Sequence, residues 1–231
     1  SEAKDIQAVA LGFSAIANNA YTTAVGADAQ ALGQNSTALG TLAEAHGIND
    51  VAVGAMAKAS GGFATAMGDS ANASGYESLA LGAGTEARAN ISAAIGTRAI
   101  ANGDSSVALG SDVEATDTNS VAIGTSSTAT GTGAIVIGSQ TFATGDRAMA
   151  LGSMAVATGE DAIAVGGAAT GFGALALGAA STAHQDLDVA VGAAAETSAT
   201  VAVTGNTIAG KSYTFAGSSP TAAFSVGNAV L

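Results

Sequence analysis

Residues able to perform acid–base, metal-binding or nucleophilic chemistry are few in this chain and lie apart from one another. The two histidines, His46 and His184, both lie six residues after a glycine of the repeat described below, in variable turns where we expect them to be solvated. No serine and carboxylate accompany either histidine in a catalytic arrangement. Because the chain has no cysteine, disulfides, thiolate metal sites and cysteine nucleophiles are excluded. We therefore predict that the protein is not an enzyme and binds no metal and no cofactor.

Acidic pairs and glycine-rich segments also have simple explanations. Glu160-Asp161 and the pair Asp186 and Asp188 fall in expected turns, where we interpret them as solvated. Gly131-Thr132-Gly133 and Gly171-Phe172-Gly173 lack the full dinucleotide-binding fingerprint and a following helix. The calcium-binding nonapeptide of other solenoids is also missing. None of these patterns predicts a ligand site.

The composition excludes further classes of function. Acidic residues outnumber basic ones by 18 to six, and the net charge of −12 argues against binding to nucleic-acid phosphates. Only 10% of residues are charged and 4% are aromatic, whereas 48% are apolar. Gly, Ala, Ser and Thr predominate. The chain can therefore bury apolar surface, but it cannot build a core of large side chains.

A tetrapeptide of the form apolar or small residue, Ala, apolar residue, Gly recurs every 14 residues. Val107-Ala108-Leu109-Gly110 and Val121-Ala122-Ile123-Gly124 are typical copies. The copies end in phase at Gly12, Gly26, Gly40, Gly54, Gly68, Gly82, Gly96, Gly110, Gly124, Gly138, Gly152 and Gly166. The next copy ends two residues early, at Gly178, and Gly192 restores the spacing. Residues 201–204 then carry Thr in place of the glycine, and the pattern is interrupted.

Each repeat contains two short alternating segments separated by glycine-containing turns, which predicts two β-strands per coil. Small residues occupy the third and fifth positions after each glycine, as at Ala15 and Ala17, and a second glycine often follows. A helix is disfavoured because glycine recurs about every seven residues, at about 1 kcal/mol each, among β-branched residues. About 14 coils stacked about 4.8 Å apart would form two parallel sheets in a rod about 65 Å long.

The pattern within each coil predicts which side chains face inward. In the second strand, two alanines flank a freely varying residue such as Gln30, Glu44 or Lys58, so the varying residue faces water and the alanines face the opposite sheet. In the first strand, the central residue is Ala in every copy except for Val136, and its two neighbours are never charged. Because only small side chains fit between two sheets joined by tight turns, the larger apolar side chains should face outward.

An outward-facing apolar ridge of this length needs a protein partner. Burying about two such side chains per coil would contribute roughly 1.5–3 kcal/mol for each of them, before ordering costs. Closed cyclic symmetry covers identical ridges, and the pattern alone leaves two chains or three chains open. The residues expected in the shared core are Leu11, Val25, Leu39, Val53, Met67, Leu81, Ile95, Leu109, Ile123, Ile137, Leu151, Val165, Leu177 and Val191.

One copy, from Asn119 to Gly124 with Ser127, Ala129 and Gly131, contains every element of the repeat. It resembles the YadA-like head repeats of trimeric autotransporter adhesins, whose motif reads approximately Ser-Val-Ala-Ile-Gly, two residues, Ser-x-Ala-x-Gly. The resemblance covers residues 6 to about 204. It implies an all-β, left-handed parallel β-roll with two strands in each 14-residue solenoid coil, assembled as a homotrimer. It also implies head repeats over residues 1–204, with an insertion and the start of a final coil leading toward a neck over residues 205–231.

The resemblance further implies a non-enzymatic adhesin head with a part in virulence, displayed on the bacterial cell surface and anchored in the outer membrane. The sequence has no apolar stretch of membrane-spanning length and starts at Ser1 without a signal-peptide pattern, so we expect the membrane anchor outside this fragment. Family members attach to host extracellular-matrix or receptor proteins, to one another in autoagglutination and biofilms, and to abiotic surfaces. The sequence does not identify which of these partners applies.

Five aromatic residues lie outside the alanine positions and outside the first strands. They are the candidate contacts with a partner protein: Tyr21, Phe63, Tyr76, Phe142 and Phe172. The same residues could instead cover coil edges or pack between neighbouring subunits. In either case we expect several of them to be at least partly exposed in the single chain.

An ice-binding β-solenoid and a purely structural spacer within a long surface fibre are the alternative functions. Ice binding would need a flat array of outward threonines, but Thr23, Thr37 and Thr65 do not continue as a Thr-x-Thr ladder. A β-helix polysaccharide lyase would need a groove of basic and acidic residues, whereas only six basic residues are spread along this chain. The adhesin head is therefore the leading hypothesis.

Overall fold

The chain forms a parallel β-solenoid of very short strands in a computed structural model that describes residues 1–200, 205–208, 211–214 and 220–227. One strand of each coil belongs to a first sheet of 15 strands, and the other belongs to a second sheet of 14 strands. Over these ranges the chain has no α-helix, and so no helix there could cross a membrane. The prediction of an all-β solenoid of about 14 coils is confirmed.

Strands of the two sheets alternate along the chain. The first sheet contains β2 (Val9–Leu11), β4 (Thr23–Val25), β6 (Thr37–Leu39), β8 (Val51–Val53), β10 (Thr65–Met67), β12 (Leu79–Leu81), β14 (Ala93–Thr97), β16 (Val107–Ser111), β18 (Val121–Ile123), β20 (Ile135–Ile137), β22 (Met149–Leu151), β24 (Ile163–Val165), β26 (Leu175–Leu177), β28 (Val189–Val191) and β31 (Phe224–Val226). The second sheet contains β1 (Glu2–Ala3), β3 (Ile16–Ala17), β5 (Gln30–Ala31), β7 (Glu44–Ala45), β9 (Lys58–Ala59), β11 (Asn72–Ala73), β13 (Glu86–Ala87), β15 (Ile100–Ala101), β17 (Glu114–Ala115), β19 (Thr128–Ala129), β21 (Phe142–Ala143), β23 (Val156–Ala157), β25 (Ala168–Ala169) and β27 (Thr182–Ala183).

Equivalent residues of successive coils pair directly with one another in both sheets. Val107 pairs with Val121, for example, so each position of the repeat forms a column along the solenoid. The coil that ends at Gly178 is two residues shorter, yet Val165 still pairs with Leu177. The missing residues are therefore lost from a turn, and the columns continue without a break.

Alanine fills almost the whole interior of the solenoid. Ala108 in the first sheet and Ala115 in the second sheet are fully buried, as the sequence predicted. The largest fully buried side chains in the described part of the chain belong to Val113 and Val136. Larger side chains would have to push the two sheets apart, and such overpacking is destabilising. The narrow gap between the sheets therefore explains the preference for Ala.

The repeat glycine ends the first strand in a backbone conformation that favours glycine. Gly26 has a φ of 138°, and a Cβ atom there would collide with the carbonyl group of Gly40 in the next coil. The two glycines thus let adjacent turns stack as closely as the strands do. This close approach explains why glycine recurs at the same position of the repeat.

Two further residues in most coils adopt the left-handed backbone conformation, a feature that the sequence analysis missed. They lie two and nine residues after the repeat glycine, as at Ser126 (φ 53°) and Asn119 (φ 58°). Asn, Asp, Ser and Gly are common at these positions, but Leu42, Met56 and Ile91 occupy them as well. A non-glycine residue in this conformation costs roughly 1–2 kcal/mol. The turns therefore hold backbone strain that the ladder and core must offset.

A buried carboxylate, Asp50, compensates for one irregular turn. It accepts hydrogen bonds from the N–H groups of Gly47 (2.6 Å) and Ala64 (2.9 Å). In most coils, the N–H group at the position of Ala64 donates to a carbonyl three residues earlier in its own turn. The carboxylate of the preceding coil serves as the acceptor for Ala64 instead, so this buried donor stays paired.

The chain leaves the coil pattern after β28 and returns at β31. Between them, β29 (Gly205–Ile208) and β30 (Lys211–Thr214) form an antiparallel hairpin. Val189 pairs with Phe224, so β31 forms the next rung of the first sheet. Residues 201–204, which the sequence pattern suggests as a further copy of the repeat, lie outside the described residues.

Asp188 fastens the returning segment in the way that Asp50 supports its neighbouring turn. Its carboxylate is buried and accepts hydrogen bonds from the N–H groups of Gln185 (3.0 Å) and Ala223 (2.6 Å). Ala223 occupies the position equivalent to Asp188 one rung further along. The interpretation of Asp188 as a solvated turn residue is wrong, because the carboxylate is enclosed and bonded to the backbone on both sides.

The hydrogen bonds to Asp188 make this fastening depend on pH. Burial alone would raise the pKa of Asp188, but hydrogen bonds from Thr197, Ala223 and Gln185 outweigh burial and hold the pKa below its ordinary value. A carboxylate with a lowered pKa in the folded state stabilises that state above its unfolded pKa of about 4. The contribution is lost as the pH falls through the still lower folded pKa.

Replacing Ala180, which has a φ of 55°, by glycine should stabilise the fold, because glycine adopts the left-handed conformation without a steric penalty. We expect Ala180→Gly to gain about 1 kcal/mol, measured as a higher midpoint of denaturant-induced unfolding. Ala179→Gly is the matched control, since Ala179 is an exposed alanine of the same turn with an ordinary φ. The control should be neutral or destabilising. Equal midpoints for the two variants would refute the assignment of strain.

Removing the carboxylate of Asp188 should loosen the last rung of the first sheet. The N–H of Val189 donates to Ala223, and the N–H of Gly227 donates to Val191. We expect hydrogen-exchange protection of these two N–H groups to fall in Asp188→Ala at pH 7, and to fall in the unmodified chain only below about pH 4. Asp186→Ala, which removes an exposed carboxylate of the same turn, should leave both N–H groups protected. Unchanged protection in Asp188→Ala would contradict the fastening role.

Candidate functional site

The first sheet presents a continuous apolar ridge on the outside of the solenoid. Each strand places outward the two residues that flank its central residue, as Val121 and Ile123 flank buried Ala122. Every residue predicted for the oligomer core lies on this face, and none of them is fully buried in the single chain: Leu11, Val25, Leu39, Val53, Met67, Leu81, Ile95, Leu109, Ile123, Ile137, Leu151, Val165, Leu177 and Val191. The outward direction of these side chains follows from the alternation of a strand.

The ridge leaves a large apolar surface in contact with water. Met67 is 44% exposed and Ile137 is 45% exposed, although both lie well inside the sheet. Phe224 and Val226 continue the same face on the last rung, where they are 69% and 66% exposed. Soluble monomers rarely expose an apolar patch that extends along a whole molecule. The ridge is therefore a candidate assembly face.

The opposite face of the molecule is the outer surface of the second sheet, and its N-terminal part is charged. The residues between the inward alanines point outward here, as predicted. Lys58 lies 3.0 Å from Glu44 of the preceding coil, and Arg88 forms an ion pair with Glu86. These pairs are solvent-exposed, and exposed ion pairs contribute little to stability. This part of the surface is well solvated.

The C-terminal part of the same outer face is different. Between Thr128 and Thr170, none of the outward-facing positions of four successive second-sheet strands carries a charged residue. One column there contains Thr128, Phe142, Val156 and Ala168. A second column runs beside it and contains Thr116, Thr130, Thr144, Thr158 and Thr170. We call these two columns the uncharged strip. The members of the strip lie in different repeats of the sequence and become neighbours only when the coils stack, so the repeat pattern alone did not predict the strip.

The five predicted contact aromatics are all exposed but do not form one site. Their exposed fractions are 55% for Tyr21, 52% for Phe63, 47% for Tyr76, 41% for Phe142 and 46% for Phe172. Phe63 and Tyr76 pack edge to face, with ring centroids 5.8 Å apart. A hydrogen bond to Glu77 raises the pKa of Tyr76. Phe142 alone belongs to the uncharged strip, whereas the other four lie in turns.

The residues with acid–base potential lie beside oppositely charged or polar side chains at the surface. His184 Nε2 lies 3.1 Å from Glu196, and His46 Nε2 lies 3.8 Å from Glu44. Arg147 bridges to the next coil, where it donates hydrogen bonds to Asp161 and Glu160 at 2.6 Å. Glu160 and Asp161 are exposed in a turn, as expected, and both also bind Arg147 of the preceding coil.

Arg147 and its two carboxylate partners form exposed ion pairs that link two successive turns. The hydrogen bond from Arg147 holds the pKa of Asp161 below its ordinary value, against a smaller opposing effect of burial. Arg98 and Asp112 form a similar bidentate pair one coil apart. Within the described residues, no three His, Asp or Glu side chains gather as a metal site would require. The two arginine–carboxylate pairs instead link successive coils to one another.

The fold and its two exposed faces define a repetitive parallel β-solenoid with extended outer surfaces. A family model described as the YadA head domain repeat matches this chain over most of its length, at residues 3–29, 17–43, 31–57, 45–71, 59–85, 92–112, 115–141, 143–168 and 169–195. The chain belongs to the YadA head domain family. No curated protein matches the chain in a sequence comparison.

Proposed function

We propose that the chain is the outer, non-enzymatic binding part of a bacterial surface adhesin, held at the outer membrane by segments outside this sequence. Membership of the YadA head family supports the proposal. The observation that carries it is the apolar ridge, where Leu109 and Ile137 remain 40% and 45% exposed in one chain. A molecule that leaves such a ridge open in one copy is built to function as an assembly.

The proposed assembly is a homotrimer of left-handed β-rolls, as the family likeness implies. Three first sheets turned toward a common axis would enclose one apolar core, and cyclic symmetry would leave no ridge uncovered. The ridge columns contain no charged residue, so their burial leaves no charge without a partner. Residues 1–204 would form the head repeats, and residues 205–231 would form the insertion and the start of the final coil toward a neck.

The proposed ligand face is the uncharged strip on the outside of the second sheet. In a trimer closed through the first sheets, this face points away from the axis and stays accessible. Threonine methyl groups, Phe142 and Val156 offer a flat, weakly apolar surface that loses little on desolvation. A protein of the host matrix, a host receptor or a head on another cell suits such a surface. The chain would thereby mediate attachment, or autoagglutination and biofilm formation.

Ice binding is a second candidate because the strip contains a column of five stacked threonines, from Thr116 to Thr170. The neighbouring column interrupts the array with Phe142 and Val156, so the surface lacks the two matched threonine columns of a regular lattice. We therefore expect no thermal hysteresis from the purified head, and a measurable hysteresis would favour ice binding over adhesion. A head that binds no ligand at all would serve as a spacer in the surface fibre.

A charge placed on the ridge should break the assembly. We expect Ile123→Asp to dissociate or unfold the protein, because a carboxylate buried among apolar side chains costs several kcal/mol. Lys58→Glu, on the outer face of the second sheet, should leave the assembly intact. Sedimentation and light scattering measure the outcome. Equal tolerance of both changes, or a stable monomer in the unmodified chain, would refute the trimer.

A charge placed on the uncharged strip should weaken ligand binding without affecting the trimer. The probes are immobilised collagen, fibronectin, laminin and receptor ectodomains in a solid-phase assay. Against whichever probe the head binds, we expect Val156→Glu to reduce affinity at least tenfold. Asn72→Glu is the matched control, because it introduces the same charge into the same column within the charged part of the face. Equal losses in both variants, or a loss in neither, would contradict the ligand face.

A further inference from the structure

A second apolar surface lies on one edge of the solenoid, away from the ridge. In four successive coils, the turn that follows the second-sheet strand carries a large apolar side chain: Ile48, Phe63, Tyr76 and Ile91. Their exposed fractions are 53%, 52%, 47% and 59%. We call these four residues the edge patch. Because they follow one another along the stack, they form one surface across four coils.

Backbone strain at two of these positions indicates that the bulk serves a purpose outside the single chain. Phe63 has a φ of 55° and Ile91 has a φ of 57°. A β-branched residue such as Ile91 is a genuine outlier in this region. The equivalent positions in other coils hold Asn35, Ser105 and Asn119, which adopt the conformation more readily. Since the two bulky side chains stay exposed, burial within their own chain does not offset the strain.

The opposite edge of the same coils provides a matching surface. There the turn that follows the first-sheet strand carries Leu42 and Met56, which are 48% and 52% exposed and also have positive φ angles of 59° and 56°. Leu42 shares a coil with Ile48, and Met56 shares a coil with Phe63. The next two coils have small residues at this position, Ser70 and Gly84, in the coils of Tyr76 and Ile91. Exposed apolar side chains thus lie on both edges of the solenoid at the levels of two successive coils.

We infer that the edge patch is covered by the opposite edge of a second copy of this chain. Rotation about a three-fold axis places one edge of each copy beside the other edge of its neighbour at the same coil level, which is a heterologous contact that closes into a ring. The inference rests on the proposed homotrimer and adds a lateral seam to it. In that seam Met56 of one copy contacts Phe63 of the next copy. Burial in the seam offsets the strain of Phe63 and Ile91.

A crosslinking experiment tests the seam directly, because the chain has no cysteine of its own. We expect the double variant Met56→Cys with Phe63→Cys to give covalent dimers and trimers with a short bismaleimide, as resolved on a denaturing gel. Neither single variant should give a covalent oligomer, since a heterologous seam never brings two identical residues together. The matched control combines Phe63→Cys with Lys58→Cys, which lies on the outer face and should not crosslink between copies.

Accessibility of the patch provides a second measurement that does not depend on crosslinker reach. In the assembled protein, we expect a monofunctional maleimide to label Phe63→Cys at least tenfold more slowly than Lys58→Cys, and to label both at equal rates after unfolding. A trimer, established by light scattering, that neither crosslinks nor protects Phe63→Cys would overturn the seam and leave the trimer standing. In that case the edge patch is open to another partner. A monomer would overturn both proposals.

Discussion

The narrow gap between the two sheets is the constraint on which the rest of the structure depends. Tight turns join strands that are mostly two or three residues long, so the sheets lie too close for anything much larger than Ala between them. A chain whose own interior accepts only small side chains cannot bury its large ones. The Val, Leu and Ile side chains are therefore displaced to the outside of the first sheet. The proposed need for a partner chain follows from the geometry of a single coil.

Stacking of identical positions turns this local constraint into a property of the whole molecule. Val121 lies beside Val107, and Ala122 lies beside Ala108. A preference for one type of side chain at a repeat position therefore extends along the whole stack of coils. Columns of Ala become a continuous core, and columns of large apolar residues become a ridge. The same stacking places Gly26 so close to the carbonyl group of Gly40 that Gly26 tolerates no side chain. Where one turn deviates from the pattern, a nearby side chain can replace the missing hydrogen-bond acceptor, as the carboxylate of Asp50 does for the N–H group of Ala64.

The features that repeat in every coil could be predicted from the sequence, whereas several features that differ between coils could not. The period, the inward alanines and the outward direction of residues such as Leu109 follow from alternation and could be predicted. The left-handed turn residues could not, because Asn119 and Ile91 share a backbone conformation without sharing a chemical type. The burial of Asp188 depends on where the chain returns at Ala223, which is a long-range contact that no local pattern encodes. The ion pair of Arg147 with Asp161 likewise requires knowing that the two turns stack.

Selection for binding can act on only a small part of such a molecule. Inward positions are restricted to small residues by the gap, and the ridge positions are restricted to uncharged residues, most of them apolar, by the proposed assembly. The outer face of the second sheet and the turns are left to vary, and there the chain departs most from uniformity. The outer face of the second sheet is charged around Lys58 and becomes the uncharged strip around Val156. The chain also accepts the strained Phe63 and Ile91 in turns where Asn or Gly would cost less. Differences that the fold does not require are the best guide to where partners bind.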